Sequence, residues 1–144
     1  MQKKNSYEGL QNKVRTFKTP KIGVWENKYS DKDYTIFIET GEFSCICPKT
    51  HLPDFASIRI QYIPDRYCIE LKSFKLYLMS YRDVGIFHEH VINRILDDFV
   101  TAARPRWANI VGEFNPRGGI KTTVSRQYTG TQGVKRKTSP FAKA

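Results

Sequence analysis

From about Val84 to Ala103 the residues Phe87, Val91, Ile92, Ile95, Leu96, Phe99 and Val100 form one apolar stripe at helical spacing, with Asn93, Arg94, Asp97 and Asp98 opposite. A helix this long and this one-sided has to lie on a second apolar surface. Segments with a period of two supply it. Asp33 to Glu39 is rich in β-branched and aromatic residues, and Phe55 to Ile63 alternates Ile58, Ile60 and Tyr62 with Ser57, Arg59 and Gln61. Pro105 ends the helix, after which Trp107 to Asn115 and Gly119 to Tyr128 read as strands joined by the turn Pro116-Arg117-Gly118-Gly119. A shorter helix is expected over Lys72 to Tyr81, after a brief strand-like piece ending near Glu70. Between the first two strands, Glu42 to Asp54 reads as a long, polar, proline-containing connection of the kind that tends to be functional.

The order strand, strand, helix, helix, strand, strand predicts an α+β fold, an antiparallel four-stranded sheet with its helices on one face. Such a sheet leaves long edges, which proteins either protect or pair with another subunit, so a homo-oligomer is expected. A chain of 144 residues has room for one domain of this kind and not for a second. No run approaches the ~18 consecutive apolar residues of a membrane span, and no apolar segment follows Met1-Gln2-Lys3-Lys4-Asn5, which points to a cytoplasmic location.

The net charge of +10 raises the question of nucleic-acid binding, and its distribution answers it. Residues 1–21 carry six Lys and Arg against Glu8, a net of +5, and residues 121–144 carry six with no acid, a net of +6. The centre, 22–120, is therefore −1. The chain thus reads as a basic N-terminal extension over 1–21, a domain over 22–128 and a basic solvated tail over 129–144. A nucleic-acid partner is not expected of the near-neutral centre.

Cys45, Cys47 and Cys68 are an odd number with no secretory signal, which argues against a disulfide framework. No CxxC pair occurs, and His88-Glu89-His90-Val91-Ile92 is not HExxH, so no metal is expected, although Cys47, His51 and His88 could in principle meet. Cys47 stands beside Pro48, with Lys49 and His51 near it, and neighbouring cations favour a thiolate. It is a candidate nucleophile, against the alternative of a small buried hydrophobe. Asp54 follows seven residues later, close enough to return to the thiol across a loop. Glu89 opens the long helix, where the dipole favours a carboxylate in any case. Lys72, Ser73 and Lys75 open the shorter helix, where ammonium, hydroxyl and backbone N–H groups could seat a phosphate or simply face solvent.

Five segments together resemble a known family. Phe43-Ser44-Cys45-Ile46-Cys47-Pro48-Lys49-Thr50, Pro53-Asp54-Phe55-Ala56, Glu70-Leu71-Lys72-Ser73-Phe74-Lys75-Leu76-Tyr77, Phe87-His88-Glu89 and Pro116-Arg117-Gly118-Gly119-Ile120 resemble, in the same order, the single-module NADPH-dependent 7-cyano-7-deazaguanine reductases of queuosine biosynthesis. The resemblance covers roughly residues 20–128. It implies the tunnelling fold, in which sheets of several subunits join into an oligomeric barrel with the base bound at subunit interfaces. It further implies Cys47 as the nucleophile that forms a covalent thioimide with the nitrile carbon, and Asp54 as the acid–base group. Substrate binding would fall to Glu89, His88 and Glu70, and NADPH binding to Lys72, Ser73, Lys75 and Arg117. Two alternatives stand beside this reading: a related tunnelling-fold amidinotransferase that forms the thioimide without reduction, against which Lys72-Ser73-x-Lys75 argues, and a non-catalytic RNA-binding module, for which only the tails argue.

Overall fold

The computed structural model describes residues 18–130. Strands β2 (Ile36–Ile46), β3 (Pro53–Ile63), β5 (Trp107–Phe114) and β6 (Thr123–Thr129) form an antiparallel sheet in the order β2-β3-β5-β6. Two helices, α1 (Leu71–Met79) and α2 (His88–Ala103), lie against one face, separated by a 3-10 turn at Ser80–Asp83. The expected α+β arrangement is therefore the observed one.

The core sits between sheet and helices. Ala56, Ile58, Ile60 and Tyr62 of β3 and Ala108, Ile110 and Phe114 of β5 meet Val91, Ile92, Ile95, Leu96 and Phe99 of α2. The close approach depends on Gly112, because a Cβ there would stand 2.3 Å from Cδ1 of Ile92. Tyr77 of α1 donates its hydroxyl to Asp98 of α2 at 2.5 Å, tying the two helices together.

Four local features differ from the sequence expectation, each for a physical reason. β2 runs on to Ile46, so the connection spans only residues 47–52 and not Glu42 to Asp54. A bulge hides this in the sequence: Thr40 pairs with Ile58 and Phe43 with Ala56, so Gly41 and Glu42 together oppose Ser57. The inward parity shifts there from Ile36 and Ile38 to Phe43 and Cys45, and an alternation that changes phase reads as none. The long helix begins at His88 rather than Val84, because the preceding segment is extended and pairs with the end of β2, through Ile46 N–H to the Val84 carbonyl at 2.9 Å and Ile86 N–H to the Ile46 carbonyl at 3.1 Å. β6 begins at Thr123 rather than Gly119, since residues 118–122 complete the turn. Lastly, β1 (Val24–Glu26) pairs with β4 (Tyr67–Ile69) as a separate two-stranded ribbon, and β1 is too short to show a period. The extension before residue 18 and the tail after 130 lie outside the described residues.

Candidate active site

The site grows from the hairpin between β2 and β3. Cys45 pairs with Asp54 and Ile46 with Pro53, and the turn closes where Cys47 N–H donates to the Leu52 carbonyl at 2.9 Å. His51, at φ +59°, donates its N–H to the Cys47 carbonyl at 2.9 Å and makes the tight reversal. Two residues beyond Cys45, Cys47 stands diagonally across the hairpin from Asp54. The seven-residue spacing thus brings thiol and carboxylate together as cross-strand neighbours.

The extended segment that pairs with Ile46 then delivers His88, the first residue of α2, to the same place. Its Nε2 lies 3.0 Å from Oδ2 of Asp54, and its ring lies flat on Phe114, with centroids 3.7 Å apart and planes 9° from parallel. The other carboxylate oxygen, Oδ1, forms an ion pair with Nε of Arg117 at 2.9 Å. Asp54 is 5% exposed, so both of its oxygens meet protein groups instead of bulk water.

The two hairpin cysteines differ sharply in acidity. Burial first, then the charges of Asp54 and Cys47, push the Cys45 thiol up to about 12. Burial alone would raise Cys47 as well, but the Thr50 hydroxyl and the backbone N–H groups of Thr50 and Lys49 hydrogen-bond to its sulfur and bring its pKa below the ordinary thiol value. Of these two, Cys47 is the thiol shifted towards the thiolate. Glu89 is exposed in the first turn of α2, one residue beyond His88.

The residues at the start of α1 are arranged differently. Glu70 caps the helix: its Oε1 accepts from Lys72 N–H at 2.9 Å and its Oε2 from Ser73 N–H at 2.7 Å. Ser73 Oγ donates to the Glu70 carbonyl and accepts from Gly23 N–H, both at 2.8 Å. The helix-terminal N–H groups and the serine hydroxyl are thereby committed within the fold. Lys72 and Lys75 remain exposed, and neither forms an ion pair among the described residues. Lys75 also lines a cleft of about 210 Å³ between α1 and β2, together with Glu39, Glu42 and Arg82. Among the described residues no group of three or more His, Cys, Asp or Glu converges as metal ligands would.

The family profile described as "QueF-like protein" matches residues 53–132. The NADPH-dependent 7-cyano-7-deazaguanine reductase of Elusimicrobium minutum is 54% identical over 111 residues, covering 77% of this chain and 83% of the relative. The protein of the same name from Halorhodospira halophila is 54% identical over 109 residues, covering 76% and 92%. The chain belongs to the NADPH-dependent 7-cyano-7-deazaguanine reductase family.

A solved structure of an archaeosine synthase described as QueF-like, in its apo form, superposes with a TM-score of 0.64 at 21% identity, covering 69% of this chain and 97% of that one. At that identity it bears on the fold alone, and it supports the tunnelling-fold assignment. In this reductase-family chain the residues singled out in the sequence, apart from the exposed Glu89, fall into two groups: Cys47, Asp54, His88 and Arg117 converge, while Glu70, Lys72, Ser73 and Lys75 stand together at the opening of α1. Two contributors escaped the sequence reading. Phe114 carries no signal until β3 and β5 are paired, whereas Thr50, three residues after Cys47, stands at a spacing from which a hydroxyl can reach back across a turn.

Proposed function

We propose that this site reduces the nitrile of 7-cyano-7-deazaguanine to the aminomethyl group, with Cys47 as nucleophile and Asp54 as the acid–base group. The observation that carries the reading is the convergence of one acidified thiol with a buried Asp54–His88 pair.

The Cys47 thiolate adds to the nitrile carbon, and as the carbon–sulfur bond forms, negative charge gathers on the nitrile nitrogen. A proton has to arrive there. Asp54, diagonal to the thiol and backed by the His88 imidazole, is placed to pass it, giving a neutral thioimide. NADPH, when bound, would supply two hydrides in succession: after the first, with a proton, the carbon–sulfur bond breaks to return the Cys47 thiol and free an imine, which the second hydride and a further proton reduce to the amine. Lys72 and Lys75 fit the anionic part of that cofactor, being exposed cations that form no ion pair among the described residues, although Lys72 feels the nearby Glu70 carboxylate, whereas Ser73 and the helix-terminal N–H groups are already engaged. Glu89 would accept hydrogen bonds from the amino and ring N–H edge of the base.

The reading also includes a homo-oligomer. Among the described residues β2 and β6 are the outer strands of the sheet, 11 and 7 residues long, with β2 paired on its outer side only at Ile46, and open edges of that length call for a partner. Leu52, Phe55 and Ile120, 54%, 52% and 74% exposed around the thiol hairpin and the Arg117 turn, would be covered by a second copy. The NADPH-dependent reaction belongs in the cytoplasm.

The test is intact-protein mass spectrometry after incubation with the nitrile and no NADPH. A gain of one substrate mass, absent from Cys47→Ala, is expected. If the wild-type chain gains no mass, or Cys47→Ala still gains it, the assignment of Cys47 is wrong.

A further inference from the structure

We propose that Arg117 is a positioning residue for the acid–base step, acting through Asp54, and not a cofactor-phosphate contact. The inference rests on the roles assigned above to Cys47 and Asp54.

The turn that carries Arg117 is built to aim it. Gly118 and Gly119 lie at φ +56° and +78°, the pair of left-handed conformations that a two-residue primed turn requires. Arg117 N–H donates to the Ile120 carbonyl, and Ile120 N–H to the Arg117 carbonyl, each at 3.0 Å, closing that turn. Asn115 N–H donates to the Phe55 carbonyl at 2.9 Å and fixes the turn's approach to the start of β3. From there the guanidinium makes two contacts on adjacent residues: Nε with Oδ1 of Asp54 at 2.9 Å, and Nη2 with the Pro53 carbonyl.

Those contacts use the fork geometry peculiar to arginine. Nε pairs ionically with the carboxylate while Nη2 donates to the backbone carbonyl of the residue before it, so one guanidinium ties Asp54 to its own strand. With Oδ1 paired to Arg117, Oδ2 is the oxygen left to His88, and Asp54 cannot swing away from the imidazole without breaking that ion pair. Asp54 is nearly buried, whereas the Arg117 side chain is 45% exposed. Were the guanidinium to leave for a phosphate, it would strand a buried carboxylate with one partner, which is the costly direction. An ammonium in its place has donors enough for both oxygens but lacks the rigid planar fork that holds them at a fixed separation.

The experiment separates thioimide formation from cofactor use. Adduct formation is followed by rapid-quench mass spectrometry without NADPH, and the KM for NADPH is measured in steady state, for wild type, Arg117→Ala and Arg117→Lys. Arg117→Ala is expected to slow adduct formation about tenfold or more, a change of about 1.4 kcal/mol in the barrier, with the NADPH KM within about twofold of wild type. Added guanidinium ion should partly restore the Arg117→Ala rate, and Arg117→Lys should stay slow. An increased NADPH KM with adduct formation unchanged would make Arg117 a phosphate ligand and overturn the inference. So would equal losses in both steps with no response to guanidinium, which is the mark of damaged folding. Asp54→Asn forming adduct at the wild-type rate would refute the role of Asp54 first, and is distinguishable because it does not involve Arg117.

Discussion

The imidazole of His88 lies face to face with the ring of Phe114, 3.7 Å between centroids, and this contact decides which way Nε2 points. Phe114 is the last inward residue of β5 and is fully buried, so its ring is a fixed wall. The imidazole can turn about its own axis only by losing the stack or the 3.0 Å contact with Asp54. Phe114→Leu keeps most of the apolar volume while removing the flat surface. It should cost about 1–1.5 kcal/mol in stability, read from denaturant midpoints, and slow thioimide formation several-fold more than it weakens binding of the base. Equal loss of binding and rate would show that Phe114 contacts the substrate directly.

The main elements of the fold were legible in the sequence because their periods are long and unbroken. The stripe from Phe87 to Val100 and the alternation from Ile58 to Tyr62 each bury one face, and the structure pairs those faces. What escaped was phase and partnership. The bulge at Gly41 and Glu42 shifts the inward parity of β2, which made a strand read as loop, and β1 is recognisable only by its pairing with β4. The site shows the same division. Cys47 and Asp54 could be brought together by chain length alone, but the meeting of His88 and Arg117 with Asp54, and of Phe114 with His88, depends on strand register that no local spacing encodes. At the opening of α1 the residue types left two readings, phosphate seat or ordinary first turn, and the carboxylate of Glu70 fills the place an anion would take.

That cap yields a prediction with a definite sign. Hydrogen bonds from Ser73 and Lys72 hold the Glu70 carboxyl below the usual carboxylate range. A pKa depressed by folding contributes stability above the unfolded value, about 4.3 for glutamate, and loses it as pH falls through the folded value. Glu70→Gln should therefore melt at a lower temperature than wild type at pH 7, with the gap closing below about pH 4. Lys75→Ala should leave the melting temperature nearly unchanged and raise the KM for NADPH about tenfold or more. A Glu70→Gln protein with wild-type melting and weakened base affinity would transfer Glu70 from the helix cap to the substrate.

The difference between the hairpin thiols can be read chemically in the native protein. Cys45 is buried with its pKa pushed up to about 12, Cys68 is buried, and Cys47 is partly exposed with its pKa lowered by Thr50 and Lys49. The thiolate is the species that alkylates, so iodoacetamide at neutral pH should modify one cysteine, Cys47, before either of the others. The rate against pH should have its midpoint below that of an ordinary thiol. Thr50→Val retains the shape of the side chain and removes the hydroxyl, so the midpoint should move upwards and thioimide formation near neutral pH should slow in proportion to the lost thiolate. Because the backbone N–H groups of Thr50 and Lys49 still reach the sulfur in that variant, the shift should be partial. A midpoint that does not move would mean that the backbone of the turn, and not the hydroxyl, sets the acidity of Cys47.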